Sequence, residues 1–92
     1  MDLNYLHNLS RDASQYLQSA DARLFSLTGK DYVACSLQRK DMRETLQRMN
    51  QMVKRAEQNP EVVDPTELES LEQYFLQSMN RFWRVAEKTP SL

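Results

Sequence analysis

Apolar residues recur at three- and four-residue spacing from Leu6 until the only glycine of the chain, Gly29. This spacing places them on one face of an amphipathic helix, which we predict over residues 3–28. Glycine tolerates the left-handed backbone that often closes a helix, so Gly29 is expected to end this one. The predicted face consists of Leu6, Leu9, Ala13, Tyr16, Ala20 and Leu27, widened by Leu17 and Leu24.

A second apolar stripe repeats every seven residues and predicts a helix over residues 32–58. Asp31 is its expected N-cap, and Asn59-Pro60 ends it because the residue before a proline avoids the helical backbone. Val33 and Leu37 are expected to support its first turns. The stripe itself consists of Cys35, Met42, Leu46, Met49, Val53 and Ala56.

The run Val63-Asp64-Pro65-Thr66-Glu67-Leu68 carries four signals for the start of a third helix. Asp64 can cap the helix, Pro65 suits its first position, Glu67 stands three residues after the cap, and Val63 can pack on Leu68. The predicted helix covers residues 65–88 and stops before Pro90. Its apolar face consists of Leu68, Leu71, Phe75, Met79, Phe82 and Ala86.

Short connections between three long helices favour an all-α fold, an antiparallel up-down-up three-helix bundle occupying residues 1–92 as one domain. The composition supports this, because one glycine among 92 residues cannot supply the tight turns of a multi-stranded sheet. It also cannot build a glycine-rich phosphate loop.

The chain contains one cysteine and one histidine, which excludes a disulfide framework and a Cys/His zinc site. Cys35 falls on the apolar stripe of the second helix and is expected to be a small core residue, and His7 a surface residue. A thin bundle offers little room for a substrate pocket. We therefore expect a binding protein rather than an enzyme, with no metal and no cofactor.

The net charge is −1, so no overall field favours nucleic acid or an anionic membrane. The N-terminal residues lack the basic and apolar regions of a signal peptide, and no stretch approaches the ~20 apolar residues of a membrane span. The unpaired cysteine is typical of a reducing compartment. These features predict a cytoplasmic protein that does not insert into membranes.

The third helix carries more apolar residues than one core-facing stripe needs, with Leu76 and Trp83 on one flank and Tyr74 and Val85 on the other. We expect the surplus to form an apolar groove between the second and third helices that receives a partner helix. Arg43 and Arg48 would attract acidic partners at its rim. The predicted contact residues are Leu46, Met49, Val53, Leu76, Met79, Phe82 and Trp83.

The basic residues of the second helix leave two further interpretations open. They can complement the acidic segment from Glu57 to Glu72 across the bundle, or they can form a basic strip for an acidic partner or nucleic acid. The third alternative is a structural subunit that self-assembles through its apolar stripes into a homo-oligomer. Nucleic-acid binding is the least favoured, because the aromatic residues are not interleaved with the basic ones.

The run Leu24-Phe25-Ser26-Leu27-Thr28-Gly29-Lys30-Asp31-Tyr32-Val33-Ala34, followed by Leu37, Arg43 and Leu46, resembles a family of bacterial export chaperones. This is the FliT-like filament-cap chaperone family of flagella and type III secretion, and the resemblance covers residues 5–56. Lys30 is inserted between Gly and Asp, Tyr32 replaces the usual tryptophan, and no fourth helix is evident. The resemblance implies a cytoplasmic chaperone of an export substrate, with Phe82 and Trp83 gating the groove.

The segment Asn59-Pro60-Glu61-Val62-Val63-Asp64-Pro65 between two amphipathic helices is similar to the proline-rich turn of type III needle subunits. This second resemblance implies a structural subunit of a secretion apparatus, the alternative given above. Needle subunits are simple two-helix hairpins, whereas this chain has a well-formed first helix.

Overall fold

The computed structural model describes residues 3–88 and contains three long helices. We label them α1 (Leu3–Leu24), α2 (Gly29–Gln58) and α3 (Pro65–Ala86), and a single 3₁₀ turn follows α2. No strand occurs within residues 3–88. The all-α prediction is confirmed.

Hydrogen bonds between side chains set the direction of α1 against α2. Ser10, near the start of α1, bonds to Asn50 near the end of α2. Arg39, nearer the start of α2, donates to Asp21 near the end of α1, with Nε 2.6 Å from the carboxylate Oδ1. The two helices are therefore antiparallel.

α1 and α3 run parallel to each other, both antiparallel to α2. Tyr5 lies beside Glu72 near the starts of the two helices, and Arg23 donates to the backbone carbonyl of Ala86 at their ends. α2 packs extensively on both neighbours, whereas α1 and α3 meet over a much smaller contact. The up-down-up bundle is thus confirmed, with α2 in the middle and overall dimensions of 47 × 19 × 15 Å.

The predicted apolar stripes form the core. Every member of the heptad stripe on α2 is buried, as are Ala13 and Ala20 of α1 and Phe82 of α3. Val33 and Leu37 correct one expectation, because they lie on the outer face of α2 with 58% and 60% of their surface exposed. The full buried set is Leu6, Ala13, Ala20, Leu27, Cys35, Met42, Leu46, Met49, Met52, Val53, Ala56, Val63, Leu68, Leu71, Phe75, Phe82 and Ala86.

The connection between α1 and α2 differs from the prediction at both of its ends. α1 stops at Leu24, where the backbone N–H groups of Ser26 and Leu27 bond back to the last carbonyls at 3.0 and 3.1 Å. α2 begins at Gly29 with Thr28 as its N-cap, so Asp31 lies in the first turn instead of capping it. Gly29 has φ of 60°, so its left-handed backbone opens α2 rather than closing α1.

The start of α3 agrees with the local signals of the sequence. Asp64 Oδ1 accepts a hydrogen bond from the Thr66 backbone N–H at 2.9 Å, and Pro65 is the first helical residue. Val63 and Leu68 on either side of the cap are both buried, as a hydrophobic staple requires.

The remaining boundaries bring two differences. A 3₁₀ turn over Pro60–Val62, capped by the Asn59 side chain, separates α2 from α3 and was not predicted. α3 ends at Ala86, two residues before the expected end, where the i→i−4 bond of the Glu87 N–H is followed by an i→i−3 bond from the Lys88 N–H to the Val85 carbonyl. Pro90, the expected stop, lies outside the described residues.

Candidate functional site

The interface between α2 and α3 is closed by its own side chains. Phe82 is fully buried, and Phe75 and Met52 are nearly so. The Cys35 thiol donates to the Phe82 carbonyl, with the sulfur 3.7 Å from the oxygen. Burial raises the pKa of this thiol, Asp31 raises it further, and Arg23 lowers it. The cysteine is therefore a packed core residue held as a neutral thiol.

Four of the predicted contact residues belong to this core. Leu46, Met49, Val53 and Phe82 each expose less than a tenth of their surface. The structure therefore corrects the expectation of an open apolar groove between the second and third helices, since the side chains expected to line it pack inside the bundle. Partner contact by Leu46, Val53 and Phe82 stays a prediction that requires the bundle to open.

The outer surface between α2 and α3 combines charged and polar residues with Leu71 and Tyr74. It forms a cleft of about 370 Å³ in which Arg48 lies among the carboxylates of Asp41, Glu44 and Glu67. Arg48 thus lines this cleft, and Arg43 lies exposed on α2 outside it. A role for these two arginines as rim charges of a partner site stays a prediction.

An apolar groove does exist, between α1 and α3. We define the α1/α3 groove by Leu9, Ala13 and Tyr16 on α1, Phe75 and Leu76 on α3, and Met49 of α2. Its volume is about 170 Å³. Leu9 and Leu76 are half-buried, and Tyr16 keeps 47% of its surface exposed. The groove opens here because the contact between α1 and α3 is small.

The three remaining predicted contact residues are spaced along one side of α3. Leu76, Met79 and Trp83 follow each other by three and four residues, and all three are half-buried. Met79 and Trp83 pack against the core cluster, and the Trp83 ring meets the Phe82 ring edge-on with centroids 5.2 Å apart. Of the seven predicted residues, the structure thus brings Leu76 and Met49 into one groove, with Met79 and Trp83 continuing the stripe of Leu76.

The rim of the α1/α3 groove is acidic near the starts of α1 and α3. Asp12 and Glu72 border the groove itself, and Glu72 also borders an adjoining cleft with Tyr5 and Glu69. The Tyr5 hydroxyl donates to Glu72 Oε2 at 3.3 Å. The charge of Glu72 is the largest cause of a raised pKa at Tyr5, followed by burial, the hydrogen bond to Glu72 and the charge of Glu69. Negative potential is therefore concentrated at this end of the groove.

Asp12 at the groove rim also lies 3.8 Å from Arg11 Nε, and two further ion pairs lie outside the groove. Arg39 pairs with Asp21 between α2 and α1, and His7 lies 3.4 Å from Glu57 at the far end of the same interface. Within residues 3–88, no three His, Cys, Asp or Glu side chains converge as metal ligands would. The arrangement is suited to non-covalent binding along the groove.

The sequence reasoning missed Leu9, Tyr16, Asp12, Glu69 and Glu72 as members of the site. Leu9 and Tyr16 are spaced by seven residues, as are Leu76 and Trp83 on α3. Two such flanks on parallel helices mark a shared seam. The seven-residue spacing is visible in the sequence. It predicts the groove only if α1 and α3 are known to be adjacent.

The fold and the groove together define a helical-bundle protein with an open apolar groove between α1 and α3. No family model matches the chain, and neither the curated proteins nor the solved structures contain a significant match to it. Within the described range, no helix combines the length and the apolar character that crossing a membrane requires.

Proposed function

We propose that this protein is a non-enzymatic helix-binding protein that holds an amphipathic segment of a protein partner in the α1/α3 groove. The observation that carries the proposal is the open seam, in which half-exposed apolar side chains flank the buried Met49. A helix laid along this seam would complete a four-helix arrangement. The partner segment thus takes the place that a fourth helix of the same chain would occupy.

The energetics favour reversible holding over permanent assembly. Leu9, Tyr16 and Leu76 are already partly buried, so covering what remains of each contributes roughly 1 kcal/mol at ~25 cal/mol per Å². Association also costs several kcal/mol in lost translational, rotational and side-chain freedom. We therefore expect weak, reversible binding, which suits a chaperone or regulator that must release its client.

The cellular setting of this binding is part of the same proposal. The similarity of residues 24–34 to flagellar and type III export chaperones supports a cytoplasmic chaperone or regulator of a secretion or assembly partner. The relocated groove changes the role expected of α3, because Leu76 lines the groove with α1 and Trp83 follows Leu76 by seven residues along α3. Binding beside Trp83 would change the environment of the only tryptophan of the chain.

The test is a titration of the protein with designed amphipathic helical peptides while Trp83 emission is recorded. We expect a saturable change in emission, which Leu76→Ser weakens about tenfold by removing an apolar contact from the groove. Leu37→Ser is the matched control, because Leu37 is an equally large apolar residue on the outer face of α2. Equal loss in both variants, or no saturable binding to the wild-type protein, would overturn the proposal.

A further inference from the structure

The charge around the α1/α3 groove has one sign. Asp12 and Glu72 are among the lining residues of the groove, and Glu69 and Glu72 are among those of the adjoining cleft. Neither lining includes a lysine, an arginine or a histidine. The apolar surface of the groove is therefore bordered by carboxylates that no lining cation neutralises.

The arginine at the opposite end of this seam is engaged elsewhere. Arg23 donates from Nη2 to the Ala86 carbonyl at 2.6 Å and also bonds to Ser26 in the α1–α2 connection. It thus closes the far end of the seam between α1 and α3. Two of the acidic residues at the near end have partners: Glu72 accepts a hydrogen bond from the Tyr5 hydroxyl, and Asp12 Oδ1 lies 3.8 Å from Arg11 Nε. The Arg11 and Asp12 side chains are both more than half exposed.

The overall charge distribution of the bundle is also negative at the end that contains the acidic rim. Residues 3–14 and 44–76 form the half of the bundle that contains the acidic rim, and they carry eight acidic and four basic side chains. Residues 15–43 and 77–88 form the other half, with four acidic and eight basic side chains. A cationic ligand is therefore attracted to the half in which the groove is acidic.

Resting on the proposed function, we propose that the segment held in the α1/α3 groove is a basic amphipathic helix. Its apolar face lies on Leu9, Tyr16 and Leu76, and its lysine or arginine side chains meet Asp12, Glu69 and Glu72. This reverses the acidic partner expected from Arg43 and Arg48, since those two arginines lie away from the apolar groove.

The acidic rim selects the partner by charge more than it strengthens binding. Exposed ion pairs contribute about 0.2–1 kcal/mol each and weaken as salt screens them. Three such pairs amount to roughly a tenfold difference in affinity between a basic and a neutral peptide at low ionic strength. Rim charges also steer the encounter, so most of the salt dependence belongs to the association rate.

The experiment compares three helical peptides with identical apolar positions whose flanking positions are all lysine, all glutamine or all glutamate. Fluorescence anisotropy of labelled peptide against the wild-type protein is expected to give the tightest binding for the lysine peptide, roughly tenfold over glutamine at low salt. The glutamate peptide is expected to bind most weakly, and the differences should shrink in 0.5 M salt, a concentration with a Debye length of only a few Å.

The rim is tested with a double variant, Glu69→Gln with Glu72→Gln, which should remove most of the preference for lysine. Its matched control is Glu44→Gln with Glu61→Gln, an equal change in net charge at exposed positions outside the groove, which should keep the preference. Equal loss in both double variants would overturn the assignment to the rim.

The outcomes separate this inference from the proposed function. Equal affinity for all three peptides, with binding still lost in Leu76→Ser, overturns the basic partner and leaves the groove intact. No saturable binding of any peptide overturns both. Growth of the protein in light scattering in place of peptide binding would identify a second copy as the occupant, and would also overturn the proposal of a separate partner.

Discussion

The two interfaces of α3 differ in how completely they are filled. Toward α2, α3 presents Phe82 and Ser78, of which almost nothing is exposed. On the side toward α1, Leu76 remains half-buried, and the groove between the helices is open. The chain thus seals one seam with its own residues and leaves the other unsealed.

The connectivity of the chain explains this difference. α2 has 30 residues and is joined to each neighbour by a short connection, so both shorter helices must pack on it. No connection joins α1 to α3, and these parallel helices meet only because both lie on α2. In a bundle of three helices, the seam between the two that are not consecutive is therefore the natural place for a fourth.

Small residues on α1 sharpen the contrast. Ala13 and Ala20 lie on its core-facing stripe and are fully packed, which lets α1 approach α2 closely. The larger Leu9 and Tyr16 are displaced to the flank that borders α3. The larger side chains of α1 thus lie at the open groove instead of in the core.

The largest expected effect is a difference in unfolding free energy between substitutions on the two faces of α3. Phe82→Ala removes a fully buried ring from the closed interface and should lower the free energy of unfolding by about 3–5 kcal/mol. Leu76→Ala, on the open side, should cost only about 1 kcal/mol, because part of the side chain already contacts solvent. Urea denaturation followed by circular dichroism measures both values. Similar losses for the two variants would mean that the seams are equally packed.

A smaller effect of opposite sign is expected at Ser78. Its hydroxyl lies in the closed interface and has no hydrogen-bond partner among the described residues, although the side chain is only 1% exposed. A buried unsatisfied polar group is destabilising, so Ser78→Ala should raise the free energy of unfolding by about 1 kcal/mol. The same denaturation experiment measures the gain, with Ser70→Ala, on exposed surface, as the control. A loss of stability would show that the hydroxyl is bonded in solution.

Much of the fold follows from local chemistry that is visible in the sequence. The heptad from Cys35 to Ala56 and the cap at Asp64 act through neighbours three to seven residues away, and both are found as predicted. The α1–α2 connection was less predictable, because one turn of backbone decides whether Gly29 closes one helix or opens the next. Its positive φ was foreseen, but the helix that it serves was not.

The site was harder to foresee than the fold because it depends on which flanks meet. Leu76 and Trp83 were predicted to exceed what the core needs, but they were assigned to a groove with α2. The apolar stripe of α2 is buried in the core. The neighbours of Leu76 in the groove include Leu9 and Tyr16 of α1, sixty or more residues away in sequence. Periodicity identifies the face that a helix presents to its neighbours, whereas the partner of each flank is fixed by packing in three dimensions.

The finest test of the open seam is the ionisation of Tyr5, which bonds Glu72 across it. Because the negative charge of Glu72 disfavours a neighbouring phenolate, the pKa of Tyr5 lies above its ordinary value of 10.0. Glu72→Gln should lower this pKa, and Glu69→Gln should lower it less, since Glu69 is the weakest of the contributing causes. Glu67→Gln, at the start of the same helix but in the polar cleft on α2, is the control. NMR titration of tyrosine ζ-carbons resolves Tyr5 individually.

The same contact makes a prediction about stability, with a definite sign. A group whose pKa is raised by folding stabilises the protein below its ordinary pKa, and this contribution is lost as the pH rises through the pKa of the folded state. The free energy of unfolding should therefore fall more steeply above pH 10 in the wild-type protein than in Tyr5→Phe, which has no phenol to ionise. If the two profiles coincide, Tyr5 and Glu72 do not hold the starts of α1 and α3 together. The open seam would then extend to the ends of both helices, with its full acidic rim free to bind a cation.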